Sequence, residues 1–284
     1  MDWPRIKTIL IVVLLLTNLL LGAMIVNERQ TFQRENDERM ANIRELYKQK
    51  GIELAEQPRR FPEKVMSLSV EYDTYGEEEL QWLLGGAYEY DGVQYTNQDE
   101  VVLLSGTTIE YYKNPHQPSD DLFSLKITDK LADSPDKKVI ENTCDTFLEK
   151  LKLPKNYVYE HYLTEGQYTY VCVKQLYDDY FLDDSSMVLM LYDGEVVAFK
   201  RKWLNILGTN NTEKYDIISV DRALYMMMPN FKSGDIISEI AIGYKLNDSS
   251  LLVSELVSGE ALPYYRITLD TGEAYYVQAV SETQ

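Results

Sequence analysis

An uncharged apolar run near the start of the chain constrains its fold more than any other feature, within the stretch DWPRIKTILIVVLLLTNLLLGAMIVNERQ. Residues 8–26 carry no charge, and as a helix these 19 residues span about 28 Å, close to the ~30 Å hydrocarbon core of a bilayer. A signal-peptide core is shorter, roughly 7–15 residues, and ends at a small-x-small site, whereas Leu21 stands two positions before Ala23 here. The run therefore predicts an uncleaved transmembrane helix, with a secretory signal cut at an unobvious site as the alternative.

The charges that flank this run leave its orientation open. Arg5 and Lys7 precede it, and four arginines follow it between residues 29 and 44. The positive-inside rule counts lysine and arginine rather than net charge. A bare count therefore favours the C-terminal side of the run as the cytoplasmic side, which conflicts with a domain outside the cell. The sequence alone leaves the topology open.

Four residues inside the run are candidate contacts with other membrane helices: Thr17, Asn18, Gly22 and Ala23. An amide at mid-membrane depth is costly unless it bonds another helix, and such bonds contribute about 0.6–2 kcal/mol. Small residues let two helix backbones approach closely. The alternative is that Asn18 bonds its own helix backbone or lies near water.

The composition excludes some classes of partner and covalent framework. A net charge of −18 argues against nucleic acid, because a phosphate-binding surface needs a basic footprint. Cys144 and Cys172 are too few for a disulfide framework. They could form one bridge, but two buried free thiols are the favoured interpretation, since free cysteine is commonly a small core residue.

No set of residues in the sequence makes a convincing catalytic or metal site. His116 lies in a proline-rich loop and His161 in a predicted strand, so neither a Ser-His-Asp nor a Cys-His arrangement is supported. The stretch YDDYFLDDSS holds four carboxylates, which are interpreted as a solvated hairpin loop: Asp178, Asp179, Asp183 and Asp184. It lacks the alternate ligands and glycine bend of a calcium loop. The sequence thus predicts a protein that is not an enzyme and that has no cofactor or metal, with a wall-active hydrolase as the least favoured alternative.

The chain after the apolar run divides into a stalk and a first β-rich region. Residues 1–7 form a short tail, and residues 27–55 are charged and predict a helical stalk that continues the anchor. Two prolines in EQPRRFPEK end this helix. Residues 56–130 then hold the strand-like runs KVMSLSVEY, EVVLLSGTTIEYY and DLFSLKI, separated by turn-rich stretches.

The remainder predicts one plan used twice, at residues 131–205 and 206–284. In the first copy Pro135 begins a helix whose apolar residues recur at helical spacing from Ile140 to Leu151, and hairpin strands follow with turns at EGQ and YDGE. In the second copy a shorter helix ends at Pro229 and precedes strands that include SLLVSELV. The predicted class is α+β: a transmembrane helix and helical stalk, a β-rich region, and two helix-plus-antiparallel-sheet units.

Two parts of the chain resemble a known family. The opening MDWPRIKTILIVVLLLTNLLL is similar to the start of the YycI family, and ISEIAIGYKL followed by LPYYRITLDTGEAYYVQA resembles that family's closing pattern I-x-L-G-Y, P-x-W-R-I and Y-Y-V-N-A. Tyr265 stands where the pattern has Trp, and Gln278 stands where it has Asn. The middle of the chain matches only in length and in the order of its elements.

The resemblance implies a function and a topology. YycI proteins are non-enzymatic, single-pass regulators of the sensor histidine kinase WalK, also called YycG, in Gram-positive bacteria. The resemblance therefore implies a cytoplasmic N-terminus, an extracellular C-terminal part, and contact with a YycH-like co-regulator and a WalK-like kinase through membrane helices, with an effect on cell-wall metabolism whose sign stays open. The competing hypothesis is an extracytoplasmic ligand-binding or protease-inhibitor module for which the helix is only a tether.

Overall fold

The computed structural model describes most of the chain. The described residues are 3–55, 61–62, 64–118, 135–209, 214–247 and 258–280. The predicted strands DLFSLKI and SLLVSELV lie outside these ranges, so both stay predictions.

The helices follow the local sequence signals. They are α1 (Trp3–Gln49), α2 (Glu77–Leu84), α3 (Pro135–Lys150) and α4 (Val220–Met227), and a single 3-10 turn (Met228–Asn230) follows α4. The residues predicted as anchor and stalk are thus one continuous helix up to Gln49. The helix predicted to begin at Pro135 is confirmed. Helix α2, with three glutamates in its first turn, was not predicted.

The apolar part of α1 is not identified as a membrane span. No helix in the part of the chain that the structure describes combines the length and the apolarity needed to cross a membrane. The transmembrane helix predicted at residues 8–26 is therefore not confirmed by the structure.

The strands make the molecule predominantly β. They are β1 (Glu53–Leu54), β2 (Lys64–Val65), β3 (Leu68–Tyr72), β4 (Glu89–Tyr90), β5 (Tyr95–Asn97), β6 (Glu100–Ser105), β7 (Thr108–Lys113), β8 (Tyr157–Glu165), β9 (Tyr168–Tyr177), β10 (Tyr180–Tyr192), β11 (Glu195–Lys202), β12 (Leu204–Thr209), β13 (Tyr215–Asp216), β14 (Ile236–Leu246), β15 (Ser258–Leu269) and β16 (Ala274–Gln278). With the helices they give a mixed α+β fold that is rich in β-structure, as predicted.

The chain forms two compact units. The first contains Met1–Glu53 and Val220–Gly234, and the second contains Leu54–Ser219 and Asp235–Gln284. The domain boundaries predicted from the sequence stay predictions.

In the first unit, the C-terminal end of α1 packs against α4. Tyr47 is fully buried, its hydroxyl donates to the Leu224 carbonyl at 2.8 Å, and its ring centroid lies 6.1 Å from that of Phe231. Helix α4, which was predicted to begin the second helix-plus-sheet unit, thus contacts α1 in this unit, and its Ala223 and Leu224 are buried. The predicted packing of this helix on the strands that follow it stays a prediction.

In the second unit, most strands belong to one sheet with the order β12-β3-β15-β14-β10-β11-β7-β6-β5-β4, to which β9 and β8 add beside β10 and β16 adds beside β15. Helix α3 covers one face of the β8–β11 part of this sheet. Its Cys144, Leu148 and Leu151 pack in one apolar cluster with strand residues such as Val171 and Leu189. The two predicted helix-plus-sheet segments thus contribute strands to the same sheet.

Strand β10 is the point where two parts of the sheet meet. Its beginning pairs in parallel with β14 at Phe181–Gly243 and Leu182–Tyr244, and its later part pairs with β11 from Ser186 onward. A Cβ atom at Gly243 would lie 2.5 Å from the Phe181 carbonyl oxygen, so this close parallel approach requires glycine. We call the stretch between these pairings, residues 183–185, the β10 fork.

Candidate functional site

The N-terminal part of α1 is an exposed apolar surface. Its large apolar side chains between Leu10 and Ile25 are 48–69% exposed: Leu10, Ile11, Val12, Val13, Leu14, Leu15, Leu16, Leu19, Leu20, Leu21, Met24 and Ile25. These residues lie on every side of the helix rather than along one stripe. A contiguous apolar surface of this extent is unusual on a soluble monomer and is typical of a protein–protein or membrane interaction site.

The four residues predicted as helix contacts do not share one face. At roughly 100° per residue, Asn18 and Gly22 lie about 40° apart, whereas Thr17 and Ala23 lie about 100° to either side of this pair. A Cβ atom at Gly22 would meet nothing within 4 Å. Asn18 and Gly22 can therefore face one partner helix together, while Thr17 and Ala23 flank that face.

Thr17 already has a hydrogen-bond partner within its own helix. Its Oγ1 donates to the Val13 carbonyl at 2.7 Å, the common return bond of threonine inside helices. Asn18 is exposed on the same helix. The directional polar contact that a second helix could use is therefore the Asn18 amide rather than the Thr17 hydroxyl.

A second candidate site is a buried cluster of charges at the β10 fork. Arg266 on β15 is almost fully buried, and its guanidinium lies 2.5 Å from a Glu160 carboxylate oxygen, 3.5 Å from Asp183 and 3.5 Å from Glu239. Lys174 Nζ lies 3.9 Å from Asp183 Oδ1. We call these five residues the fork cluster.

The fork cluster corrects the interpretation of the four aspartates. Asp178 and Asp179 are exposed in the turn between β9 and β10, as predicted. Asp183 and Asp184 lie on β10, and the side chain of Asp183 is only 3% exposed, so the prediction of a solvated loop is wrong for both. The reason is that β10 begins at Tyr180, earlier than the four carboxylates suggested.

The same side chains satisfy the backbone where β10 changes partners. Lys174 Nζ donates to the carbonyls of Asp183 at 3.1 Å and Ser185 at 3.4 Å, and the Ser185 hydroxyl donates to the Leu182 carbonyl at 2.7 Å. The Leu246 N–H on β14 donates to Asp184 Oδ2. Buried backbone groups need such partners wherever a sheet ladder is interrupted.

The electrostatics of the cluster follow from burial and from an imbalance of charge. Burial raises the pKa of Asp183, against the opposing effect of Lys174 and Arg266. Burial alone would lower the pKa of Arg266, but the carboxylates of Glu160, Asp183 and Glu239 outweigh it and raise that pKa. The arginine therefore stays charged, whereas burial disfavours the ionised form of Asp183.

The histidines and cysteines occupy structural positions. His116 Nδ1 lies 3.0 Å from the Tyr168 hydroxyl, and His161 Nε2 lies 3.9 Å from Glu160. Cys144 and Cys172 are both free, and burial raises the pKa of each thiol to about 12, which makes a thiolate nucleophile inaccessible at neutral pH. Among the described residues, no group of three or more His, Cys, Asp or Glu side chains could hold a metal ion.

Sequence reasoning missed the fork cluster, although one signal was present. Arg266 is a lone charge in the otherwise uncharged run ALPYYRITL. A charge at such a position is almost never fully buried unless it is paired, so it predicts buried carboxylate partners without identifying them.

Comparison with known proteins gives one family match. A family model described as YycI protein matches residues 31–280. No curated protein matches the chain. Among solved structures, a chain titled Bacillus megaterium YpeB C-terminal domain matches with 13% sequence identity and a TM-score of 0.37, covering 72% of this chain and 90% of that chain.

Proposed function

The chain belongs to the YycI family, and from this premise we propose that it is a non-enzymatic, single-pass membrane regulator of a WalK-like sensor histidine kinase. Family membership associates it with regulation of the YycG/WalK two-component system. The finer proposal is that it acts together with a YycH-like co-regulator, through contacts between membrane helices, and so adjusts cell-wall metabolism. The family match over residues 31–280 is the observation that carries this proposal.

The proposed location is the cell membrane, with the N-terminus in the cytoplasm and the C-terminal part outside. The 19 uncharged residues at 8–26 support membrane insertion, because their helix would match the hydrocarbon thickness of a bilayer. The exposed apolar side chains between Leu10 and Ile25 support it as well, since lipid would cover them on every side.

The contact between α1 and α4 supports a route by which the outer part positions the membrane segment. Tyr47 fixes the end of α1 to α4 through its bond to Leu224, and the Gly234 N–H donates to the Gly51 carbonyl at 2.8 Å. From Tyr47 to Ile25, α1 continues for about 33 Å without an interruption. A displacement of α4 would therefore be carried along a continuous helix toward the apolar segment.

Copurification tests the proposed partners. The full-length chain, extracted from membranes in a mild detergent, is expected to bring down a sensor histidine kinase and a YycH-like protein. An unrelated single-pass protein with the same tag is the control and should bring down neither. Recovery of a secreted protease, without the kinase, would contradict the proposal and favour the tethered inhibitor.

Cysteine labelling tests the proposed topology. Asp179→Cys places a thiol in the exposed turn between β9 and β10, and a membrane-impermeant maleimide is expected to label it in intact cells. Lys7→Cys, in the proposed cytoplasmic tail, is the matched control and should be labelled only after lysis. The native Cys144 and Cys172 contribute little background because burial suppresses their thiolates. The reverse labelling pattern would overturn the topology.

A further inference from the structure

Just before the β10 fork, β10 pairs with β14 over a short ladder, and this ladder connects two parts of one sheet. Strands β8, β9 and β11 pair with each other or with β10, whereas β15 and β16 lie on the far side of β14. The ladder that joins β10 to β14 consists of the pairs Phe181–Gly243 and Leu182–Tyr244. With so short a ladder, side-chain contacts across the fork contribute a large share of what holds β10 and β14 together.

The fork cluster crosses this connection and its charges do not balance. It contains three carboxylates, on Glu160, Asp183 and Glu239, and two cations, on Lys174 and Arg266. Glu239 is the carboxylate that water reaches best, with a side chain 40% exposed, whereas Asp183 is 3% exposed. The cluster therefore carries one excess negative charge, and solvent screens the carboxylate of Asp183 poorly.

One carboxylate oxygen of Asp183 can take up a proton without losing a hydrogen bond. Its Oδ2 is buried and has no hydrogen-bond partner among the described residues, and the same is true of Arg266 Nε and Thr268 Oγ1 nearby on β15. An ionised carboxylate oxygen left in this way loses its hydration without compensation. A protonated Oδ2 carries no such charge and can donate a hydrogen bond.

We propose that the fork cluster is a proton-responsive joint, in which uptake of one proton by Asp183 balances the buried charges and strengthens the connection between β10 and the β14–β15 part of the sheet. The groups that face Asp183 are Glu160 on β8, Lys174 on β9, Asp184 on its own strand, Arg266 on β15 and Tyr276 on β16, and Glu239 on β14 acts through Arg266. With Asp183 neutral, two carboxylates face two cations. The free energy of unfolding of this unit would then depend on the pH of the surrounding solution.

The direction of the pH dependence follows from proton linkage. The pKa of Asp183 is raised in the folded chain, mainly by burial. Between the unfolded and the folded pKa, the folded chain thus binds more protons than the unfolded chain. The contribution of this group to stability is therefore present at low pH and is lost as the pH rises through the folded pKa.

The test compares the wild-type chain with Asp183→Asn, which keeps the shape of a protonated carboxyl. At about pH 8 the variant is expected to melt ~2–4 °C above the wild-type, and this difference should shrink toward zero as the pH falls through the raised pKa of Asp183 and the wild-type carboxyl takes up its proton. Asp179→Asn, in the exposed turn before β10 and outside the cluster, is the matched control and should melt like the wild-type across the same pH range. A variant less stable than the wild-type at every pH would overturn the proposal, because Asp183 would then act as a permanently ionised partner of Arg266.

Hydrogen exchange in the unmodified full-length chain gives a second test that needs no variant. After correction for intrinsic exchange, amides of the 181–182 and 243–244 pairs are expected to be better protected near pH 5.5 than near pH 7.5. Equal protection at both values, or better protection at the higher one, would also overturn the proposal.

Discussion

Replacing Arg266 with methionine is expected to destabilise the folded chain by about 3–5 kcal/mol, because the change removes one partner from a buried set of ion pairs. The guanidinium contacts Glu160, Asp183 and Glu239, and its centre lies 4.2 Å from the Phe181 ring centroid. Methionine retains much of the volume against that ring. The loss would therefore arise from carboxylates left buried without their cation, rather than from a cavity. Urea denaturation of the full-length chain in detergent would measure it.

The matched control is an exposed ion pair of good geometry. Lys155 Nζ lies 2.8 Å from Glu149 Oε1, but both side chains are 62% exposed, so Lys155→Met should change the free energy of unfolding very little. The Arg266 variant should also respond to pH. Without the cation, the pKa of Asp183 rises further, so the stability deficit of the variant should shrink as the pH falls and Asp183 takes up a proton. A loss of stability as small as that of the control, and independent of pH, would mean that the ion pairs of Arg266 contribute little to the stability of the folded chain.

Local signals in the sequence were sufficient for elements whose packing is also local. Helix α3 begins at the predicted proline, and its apolar spacing places Cys144 and Leu148 in the core. The predicted hairpin turns are confirmed at Gly166 and at Asp193–Gly194, where positive φ angles of 61°, 49° and 79° suit the residues present. In each case the residues that determine the structure lie within a few positions of one another.

Contacts between distant parts of the chain could not be predicted in this way. The apolar stripe of α4 showed that the helix would pack, but not that Tyr47, 177 residues away from Leu224, would be its partner. The fork cluster brings together Asp183 and Arg266, which are 83 residues apart. Periodicity indicates which face of an element is buried, while the partner depends on the topology of the whole sheet.

The four helix contacts predicted in α1 stay a prediction. Helical geometry places Asn18 and Gly22 on one face, with Thr17 and Ala23 to either side of it. Residue type alone does not give this arrangement, and it does not show that the Thr17 hydroxyl bonds the Val13 carbonyl of its own helix.

Exchanging residues 8–26 for an unrelated membrane helix of equal length is expected to abolish regulation of the kinase. If the segment were only a tether, any apolar sequence of that length would serve, whereas a helix that docks on other helices depends on its own surface. Small residues permit close approach, and an amide supplies a directional bond where lipid offers none. The measurement is a transcriptional reporter of kinase output in cells whose native copy is deleted, with expression and topology of the chimaera verified by labelling.

Two single substitutions separate the docking face from the rest of the helix. Asn18→Leu should weaken regulation partially, by about 1 kcal/mol of association, because it removes the amide and keeps the apolar volume. Thr17→Val is the matched control and should have little effect, since the Thr17 hydroxyl bonds the backbone of its own helix. Full regulation by the chimaera, with both single variants indistinguishable from the wild-type, would show that residues 8–26 are only a tether. The regulatory contact would then lie in the part of the chain beyond the membrane.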